Sequence, residues 1–388
     1  MAEPYSYDIA IIGGGLAGLS LAAQLSDDLF SSLSIVIIEP RTHYERDKTW
    51  SYWRAQAHEY SEFEAATWAA WRLTTAEDSV VVRQHLAENF CYASISSDTF
   101  YKATLSKINA CKHIQLMQSE IVENLIIEDG HTIIALKSDL KIRIKQVIFD
   151  SRLRAKQKPK ANKLQLNQHF LGLEVTSDLE LFDDDCMDLM DFQLSNHGMH
   201  FLYVLPYTKS RALVESTWIC THFHHDDYMH ELNCYLAKRW PNAQFKIAYT
   251  EKGCLPLSNI TAHEYRLGKV QIIPIGTAAG TMRAATGYAF LETLSDSKRL
   301  ARLLSTKKRL TVFKRHKIDI LMDSLFLSLL AKNASFGPHY FMQMFSNCAP
   351  ASLIRFLSGQ ANWRDRLNVV LSIPPAPMLK HLLGLKSH

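Results

Sequence analysis

No uncharged apolar run of about 18 residues occurs anywhere in the chain, so no segment has the makings of a membrane-crossing helix. Cysteine is scarce and unpatterned: Cys91, Cys111, Cys186, Cys220, Cys234, Cys254 and Cys348 are odd in number and show no CxxC spacing. That argues against a disulfide framework or a zinc site and favours a reducing, cytoplasmic compartment. Charge of one sign is lacking too, with 43 Lys and Arg against 39 Asp and Glu, a net +4 that gives no general reason to expect nucleic acid. The opening MAEPYSYDIAIIGGG has no basic region ahead of its apolar stretch and does not read as a secretory leader. Internal repeats and low-complexity tracts are also missing. What is present is 388 residues, 47% hydrophobic and 21% charged, an ordinary globular composition with room for two or three units or one large two-part fold.

The pattern along the chain is legible in stretches. Tyr7 to Ile12 is a β-branched run that ends in Gly13-Gly14-Gly15, and Leu16 to Leu25 follows with helical spacing. Ile35 to Ile38 closes on Glu39 as a second strand, completing a βαβ unit whose right-handed crossover sets the two strands side by side. Arg41 to Trp71 reads as a long ordered loop carrying Trp50, Trp53, Trp68 and Trp71, four of the seven tryptophans. Ser97 to Asn109 is helical, Leu125 to Leu136 is a hairpin about Asp129-Gly130, and Ile144 to Asp150 is a strand followed by a basic loop, Arg152 to Lys163. From about Leu164 to Leu257 strand patterns dominate: Phe170 to Val175, Leu189 to Leu194, and Met199 to Tyr207 turning at Thr208-Lys209-Ser210 into Arg211 to Cys220. Val270 to Gly276 is a further strand, and from Ala289 the pattern is helical, with a basic run from Lys307 to Lys317 ahead of the apolar Ile318 to Leu330.

Gly13-x-Gly15-x-x-Gly18 is the strongest motif because it follows a strand, opens a helix and has Glu39 twenty-one residues beyond its third glycine. Gly13 permits the tight turn, Gly15 and Ala17 border the path of a pyrophosphate, Gly18 lets helix and strand approach, and the helix N-terminus favours the anion. Glu39 is suited to a ribose hydroxyl and unsuited to a 2′-phosphate. FAD and NAD share this fingerprint. The later Ile272 to Gly280 stretch with its turn at Gly276, followed by Thr286-Gly287-Tyr288, has the shape of a second, distant flavin segment. Thr277 stands where many flavoproteins have an aspartate, and an ordinary strand–loop–helix is the plain alternative.

Taken in order, a series of segments resembles the flavin-dependent bacterial lycopene cyclases, nearly from end to end. They are the N-terminal fingerprint, Asp47 to Trp53, Tyr92 to Ser97, Phe170 to Val175, Met190-Asp191-Phe192, Phe201 to Pro206, Leu213 to Thr217, Glu251 to Leu257, Ala285 to Tyr288, Arg355-Phe356, Trp363-Arg364-Asp365 and Pro374-Pro375. The resemblance implies cyclisation of the ψ-end groups of lycopene, an acid–base isomerisation with no net redox change. It also implies reduced FAD at the site, NAD(P)H as external reductant, and an essential glutamate in the Leu213-Val214-Glu215 segment. Residues 289–292, Ala-Phe-Leu-Glu, depart from the serine and proline common in that family, and Glu292 reads as a surface residue.

Such chemistry needs an acid able to protonate an alkene, exclusion of water and electron-rich surfaces near a cation. Period-2 alternation sets Glu215 on one strand face with Leu213, Thr217 and Ile219, where desolvation would raise its pKa. Pairing with Arg211 is the structural alternative. Trp50, Tyr52, Trp53, Tyr203 and Tyr288 could line a polyene channel or simply pack. Asp47 is either a second acid–base group or a turn residue, and Asp191 is a weaker candidate. His222, His224, His225, Asp226, Asp227 and His230 lack the spacing of a metal site and read as a solvated loop. Lys307, Lys308, Arg309, Lys314, Arg315 and Lys317 beside an apolar stretch suit either a helix lying on anionic lipid or an ordinary solvated face.

The expected fold is α/β, a Rossmann-like FAD-binding domain with a strand-rich inserted substrate domain and a helical C-terminal segment. The expected boundaries are 1–163 with 258–305 for the discontinuous FAD domain, 164–257 for the substrate domain and 306–388 for a helical membrane-facing segment. The expected activity is that of a lycopene β-cyclase acting on lycopene or a related acyclic carotene, cytoplasmic and peripheral to the membrane, without metal or nucleic acid. A flavin-dependent oxidoreductase of the same fold, a hydroxylase or prenyl reductase, is the alternative. A prenyl-carrier protein without chemistry is a more distant one.

Overall fold

The computed structural model describes residues 5–83, 90–153, 166–195, 197–221 and 227–373, and the structural statements below concern these. In chain order the first half comprises β1 (Tyr5–Ile12), α1 (Leu16–Gln24), β2 (Ile35–Glu39), β3 (Thr49–Arg54), β4 (Ala66–Trp68), β5 (Ala70–Thr74), β6 (Ser79–Arg83), β7 (Cys91–Ser96), α2 (Ser97–Asn109), β8 (Ile114–Gln118), β9 (Val122–Glu128), β10 (His131–Leu136) and β11 (Lys141–Asp150). Then come β12 (Leu166–Thr176), β13 (Cys186–Gln193), β14 (Met199–Thr208), β15 (Arg211–Cys220), α3 (Tyr228–Arg239), β16 (Lys246–Leu257), β17 (Tyr265–Leu267) and β18 (Val270–Pro274). The remainder is helical: α4 (Phe290–Ser305), α5 (Lys317–Lys332), α6 (Gly337–Asn347), α7 (Pro350–Leu357) and α8 (Trp363–Ser372).

The first sheet runs β17-β18-β11-β1-β2-β8, with the β9–β10 hairpin joined to β11. Its centre is parallel, β1 between β11 and β2. All of β2 is buried, as strands covered on both faces must be. Ile9, Ile11, Ile35 and Ile37 pack toward α1, α2 and α4, while Ala10, Ile12, Val36 and Ile38 fill the opposite face. The second sheet is ordered β16-β12-β15-β14-β13-β5-β6 and is antiparallel except where β13 meets β5. One face packs on α3 through Leu232 and Leu236. The other, bearing Leu213, Phe201 and Leu205, packs on α6 and α7 through Phe341, Phe345 and Leu353. This is the α/β arrangement the sequence predicted: a Rossmann-like sheet, a strand-rich insertion and a helical C-terminal segment.

Three differences are instructive. The stretch from Arg41 to Trp71 is not simply a loop: β3 and β4 both pair with β7, forming a small third sheet between the two large ones. Its partner strand lies far along the chain, and no local alternation announces it. Residues 70–83 supply β5 and β6 to the second sheet, so the chain enters that sheet well before residue 164. The basic run is not helical, since α4 ends at Ser305 and α5 begins only at Lys317, with the His316 side chain accepting the Ile318 N–H at its start. Glu292 is no surface residue either. It is partly buried in a 2.9 Å ion pair with Arg315, and burial raises its carboxyl above the ordinary range. No described helix is long and apolar enough to cross a membrane.

Candidate active site

Two glycine turns meet at the C-terminal ends of β1 and β18. Gly13 has φ +96°, and a Cβ there would lie 2.1 Å from the Ser151 Oγ. A Cβ on Gly18 would lie 1.8 Å from the Gly13 carbonyl oxygen, so only glycine lets α1 pack onto its own entry turn. Gly276, at φ +62°, would place a Cβ 2.6 Å from that of Ala17, so the second turn abuts the first. The N-cap of α1 is Gly15, with no side-chain cap and no acid in the first turn, leaving backbone N–H groups without an internal partner. Glu39 is 3% exposed behind this turn. It accepts the Gly14 N–H and, through its other oxygen, the Arg41 N–H at 3.0 Å and Nε–H at 2.9 Å.

From these turns a cavity of about 450 Å³ extends between the first and second sheets. Gly15, Ala17, Gly18 and Gly276 border one end, with Thr277 beside them. Thr286, Gly287 and Tyr288 form part of its wall, where a Cβ on Gly287 would meet Leu255 at 3.3 Å and the Gln168 Oε1 at 3.4 Å. The far wall is the inner face of the second sheet, including Phe170, Phe201, Tyr203, Glu215 and Thr217, and Phe341 and Phe345 of α6 line the cavity as well. Uncapped N–H donors and side-chain-free approaches at one end suit a dinucleotide pyrophosphate. The apolar, aromatic remainder suits a hydrocarbon.

Among the described residues, Glu215 is the one carboxylate in this wall. It is 8% exposed and accepts a 2.6 Å hydrogen bond from the Thr217 hydroxyl. Burial pushes its pKa up to about 8, the nearby Glu251 adds to the rise, and the Thr217 bond opposes it. Arg211 does not pair with it: that guanidinium binds Glu174 at 2.8 Å, with Arg46 on the other Glu174 oxygen at 2.6 Å. Period-2 alternation thus set Glu215 on the correct face, and the alternative pairing fell to the neighbouring row of the sheet.

The other sequence candidates divide. Tyr203 and Tyr288 line the cavity and are bridged by Tyr92: Tyr203 Oη donates to Tyr92 Oη at 2.8 Å, and Tyr92 and Tyr288 share a bond at 3.2 Å. Burial raises all three phenols above their ordinary value, so they stay protonated. Trp50 also lines the cavity, edge-on to Phe100. Tyr52 and Trp53 do not reach it; Tyr52 stacks on Phe290 at 4.6 Å and Trp53 packs edge-on against Trp71 and Tyr92. Asp47 has a side chain 40% exposed and lies outside the cavity wall, paired with Lys48 and Arg41 and accepting from Tyr101. Asp191 is taken up by Tyr235 and Arg239 on the second sheet. His222, His224, His225 and Asp226 fall outside the described residues, as do Pro374-Pro375 and most of the basic loop 152–163; among the described residues no three ligands gather as a metal site.

Sequence reasoning assigned no role to Tyr92 or Glu251. Tyr92 joins the site only because β7 pairs with β3 and β4, and Glu251 only because β16 pairs with β12. No local pattern singles either out.

A family model described as "Lycopene cyclase protein" matches residues 8–383. Among curated proteins, the chain is 23% identical over 316 residues to the chloroplastic lycopene beta cyclase of Arabidopsis thaliana, an alignment covering 74% of this chain and 58% of that protein. It therefore spans less than two thirds of that relative's length. Among solved structures, a geranylgeranyl bacteriochlorophyll reductase-like protein of Thermoplasma acidophilum aligns with a TM-score of 0.62 at 13% identity, over 99% of this chain and all of that one. Halogenase PltM in complex with phloroglucinol and FAD aligns with a TM-score of 0.54 at 12% identity, over 90% and 78% of the two chains. At such identities the structures speak for the fold.

Proposed function

The chain belongs to the lycopene cyclase family, and on that premise we propose that it is a lycopene β-cyclase that converts the ψ-end groups of lycopene, or a related acyclic carotene, into β-rings. The observation that carries the reading is Glu215: a carboxyl held protonated up to about pH 8 in the wall of an apolar cavity that is continuous with a dinucleotide cradle. The reaction is redox-neutral and belongs with the isomerases. The Glu215 O–H bond breaks as a C–H bond forms at the terminal alkene, leaving a tertiary cation. The neighbouring double bond attacks that cation, and the Glu215 carboxylate takes up a different proton, whose C–H electrons become the ring alkene, so that the acid is restored. Phe341 and Phe345 add apolar surface to the wall, which disfavours the water that would otherwise capture the cation. Ring faces such as those of Tyr203 and Phe201 stabilise it by about 0.5–2 kcal/mol each.

The cradle residues fit FAD: Gly15, Ala17, Gly18 and Gly276 would hold the pyrophosphate, Glu39 and Arg41 would serve the ribose, and Thr286-Gly287-Tyr288 would border the ring. When bound and kept reduced by NAD(P)H, FAD supplies negative charge or a proton beside the substrate cation. The C-terminal helices support a peripheral approach to the membrane in which lycopene dissolves. Trp363 is 67% exposed and Leu371 72%, with Leu321 and Leu367 also exposed. Arg366 ties α8 to α5 through Asp319 at 2.7 Å, and Lys314 and Lys317 lie at the start of α5.

The test is expression in lycopene-accumulating cells, with pigment analysed by mass and absorbance. Product of unchanged mass and shortened chromophore is expected, and unchanged lycopene with folded protein would refute the reading. A flavin-dependent reductase or hydroxylase of the same fold would instead consume NAD(P)H in step with substrate.

A further inference from the structure

Glu215 is not alone in its row. On β12, Gly172 is directly opposite Glu215 of β15 on one side and directly opposite Glu251 of β16 on the other, and Tyr203 of β14 continues the row beyond Glu215. Residues directly opposite across a sheet share a face, so both carboxyls rise from the same side. The gap between them exists because residue 172 has no side chain. A Cβ built there would sit 3.2 Å from the Glu251 Cγ and 3.5 Å from the Glu215 Oε2, so the two acids lean over one shared space.

Among the described residues, each carboxyl has one hydroxyl donor and neither is in an ion pair. Thr217 serves Glu215 at 2.6 Å, and Thr49 of β3 serves Glu251 at 2.8 Å. Arg46, the basic group nearest to Glu251, is bound to Glu174 instead. Both glutamates are buried, at 8% and 5% exposure. Two such groups cannot both carry charge cheaply, so the pair retains a proton. The charged and titratable groups facing the pair are Arg46, Glu174, Asp47, Tyr207 and Tyr249 toward Glu251, and Tyr203 toward Glu215; burial also raises Glu251.

We propose that Glu251 is a positioning residue for the acid of this site: its carboxyl, set across the Gly172 gap, holds the proton on Glu215 so that the acid is loaded when substrate arrives. The division of labour follows from exposure to the cavity. Glu215 lines it, whereas Glu251, at the other side of Gly172 in the same row, does not line it and acts through its neighbour. The inference rests on the reading of Glu215 as the cyclisation acid, but its test does not depend on turnover.

The probe is the titration of the Glu215 carboxyl in the full-length protein, read from the infrared carbonyl stretch of its protonated form and assigned by its loss in Glu215→Gln. In Glu251→Gln the like charge is gone while size and hydrogen bonding remain, and the midpoint of Glu215 should fall by about one pH unit or more. Glu251→Asp, which keeps the charge, should restore most of the parental midpoint. Should Glu251→Gln fail to fold, Glu251→Ala serves, because it too removes the like charge and places nothing new in the Gly172 gap. The alkaline limb of ring formation should move down with the infrared midpoint, so that Glu251→Gln regains activity at lower pH. An unmoved Glu215 midpoint in Glu251→Gln, or in Glu251→Ala, overturns the proposal. Ring formation that survives Glu215→Gln would instead overturn the catalytic reading and leave the titration result standing.

Discussion

Replacing Glu215 by glutamine should flatten a fall in stability that the parent shows between mildly acidic and alkaline pH. In the folded protein the carboxyl is raised from 4.5 to about 8, first by burial and then by Glu251. Between those values the folded state holds a proton that the unfolded state has released, so raising the pH favours unfolding by about 1.4 kcal/mol per pH unit. The contribution is intact below pH 4.5, declines through the window, and is spent above pH 8 after a total of about 5 kcal/mol. Glutamine has no proton to lose and keeps nearly the same volume. Urea unfolding of both proteins at intervals from pH 5 to pH 9 measures the difference directly. Asp188 and Asp296, which burial also raises, titrate in both proteins and cancel. Stability of the variant relative to the parent should climb across that range by several kcal/mol, while ring formation is lost throughout. Parallel stability curves would refute a buried, protonated Glu215 and with it the acid on which the mechanism depends.

Gly18→Ala should abolish retention of flavin, since its methyl group would collide with the Gly13 carbonyl; the visible flavin absorbance of the purified protein is the readout. Tyr92→Phe removes the hydroxyl that joins Tyr203 to Tyr288 and leaves buried phenols underbonded, which should cost about 1–3 kcal/mol in denaturant unfolding. Arg283→Met strands Asp323 in the core, where the two form a 3.0 Å pair that is almost fully buried, and should destabilise by about 3–5 kcal/mol in the same assay. Charges placed on the exposed helical face, as in Leu321→Glu with Leu371→Glu, should reduce co-sedimentation with anionic lipid vesicles without altering the unfolding midpoint; equal sedimentation would remove α5 and α8 from membrane contact.

Local signals were strong wherever one segment supplied both halves of an interaction. The β1–turn–α1 unit needs Gly13 and Gly18 within a single turn of chain, and the hairpin of β14 and β15 closes through adjacent residues, so both were legible. Alternation likewise oriented Glu215 correctly, since the pleat of one strand is enough to say which residues share a face. It could not say what would stand opposite. Arg211 is close in sequence yet is taken by Glu174, while Glu251, 36 residues beyond Glu215, reaches the row only through β12.

By itself, then, the amino-acid sequence determined the kinds of element, the glycine cradle and the strand face on which the acid lies, because each depends on steric and hydrophobic preferences acting over a few residues. Tertiary structure decided which acid faces which, that Tyr92 bridges Tyr203 and Tyr288, that Tyr52 and Trp53 pack outside the cavity, and that the basic run breaks the helix pattern. Those outcomes depend on strand order and register, and on the low-dielectric space enclosed when distant strands meet. No stretch of chain has that space to itself before the fold closes.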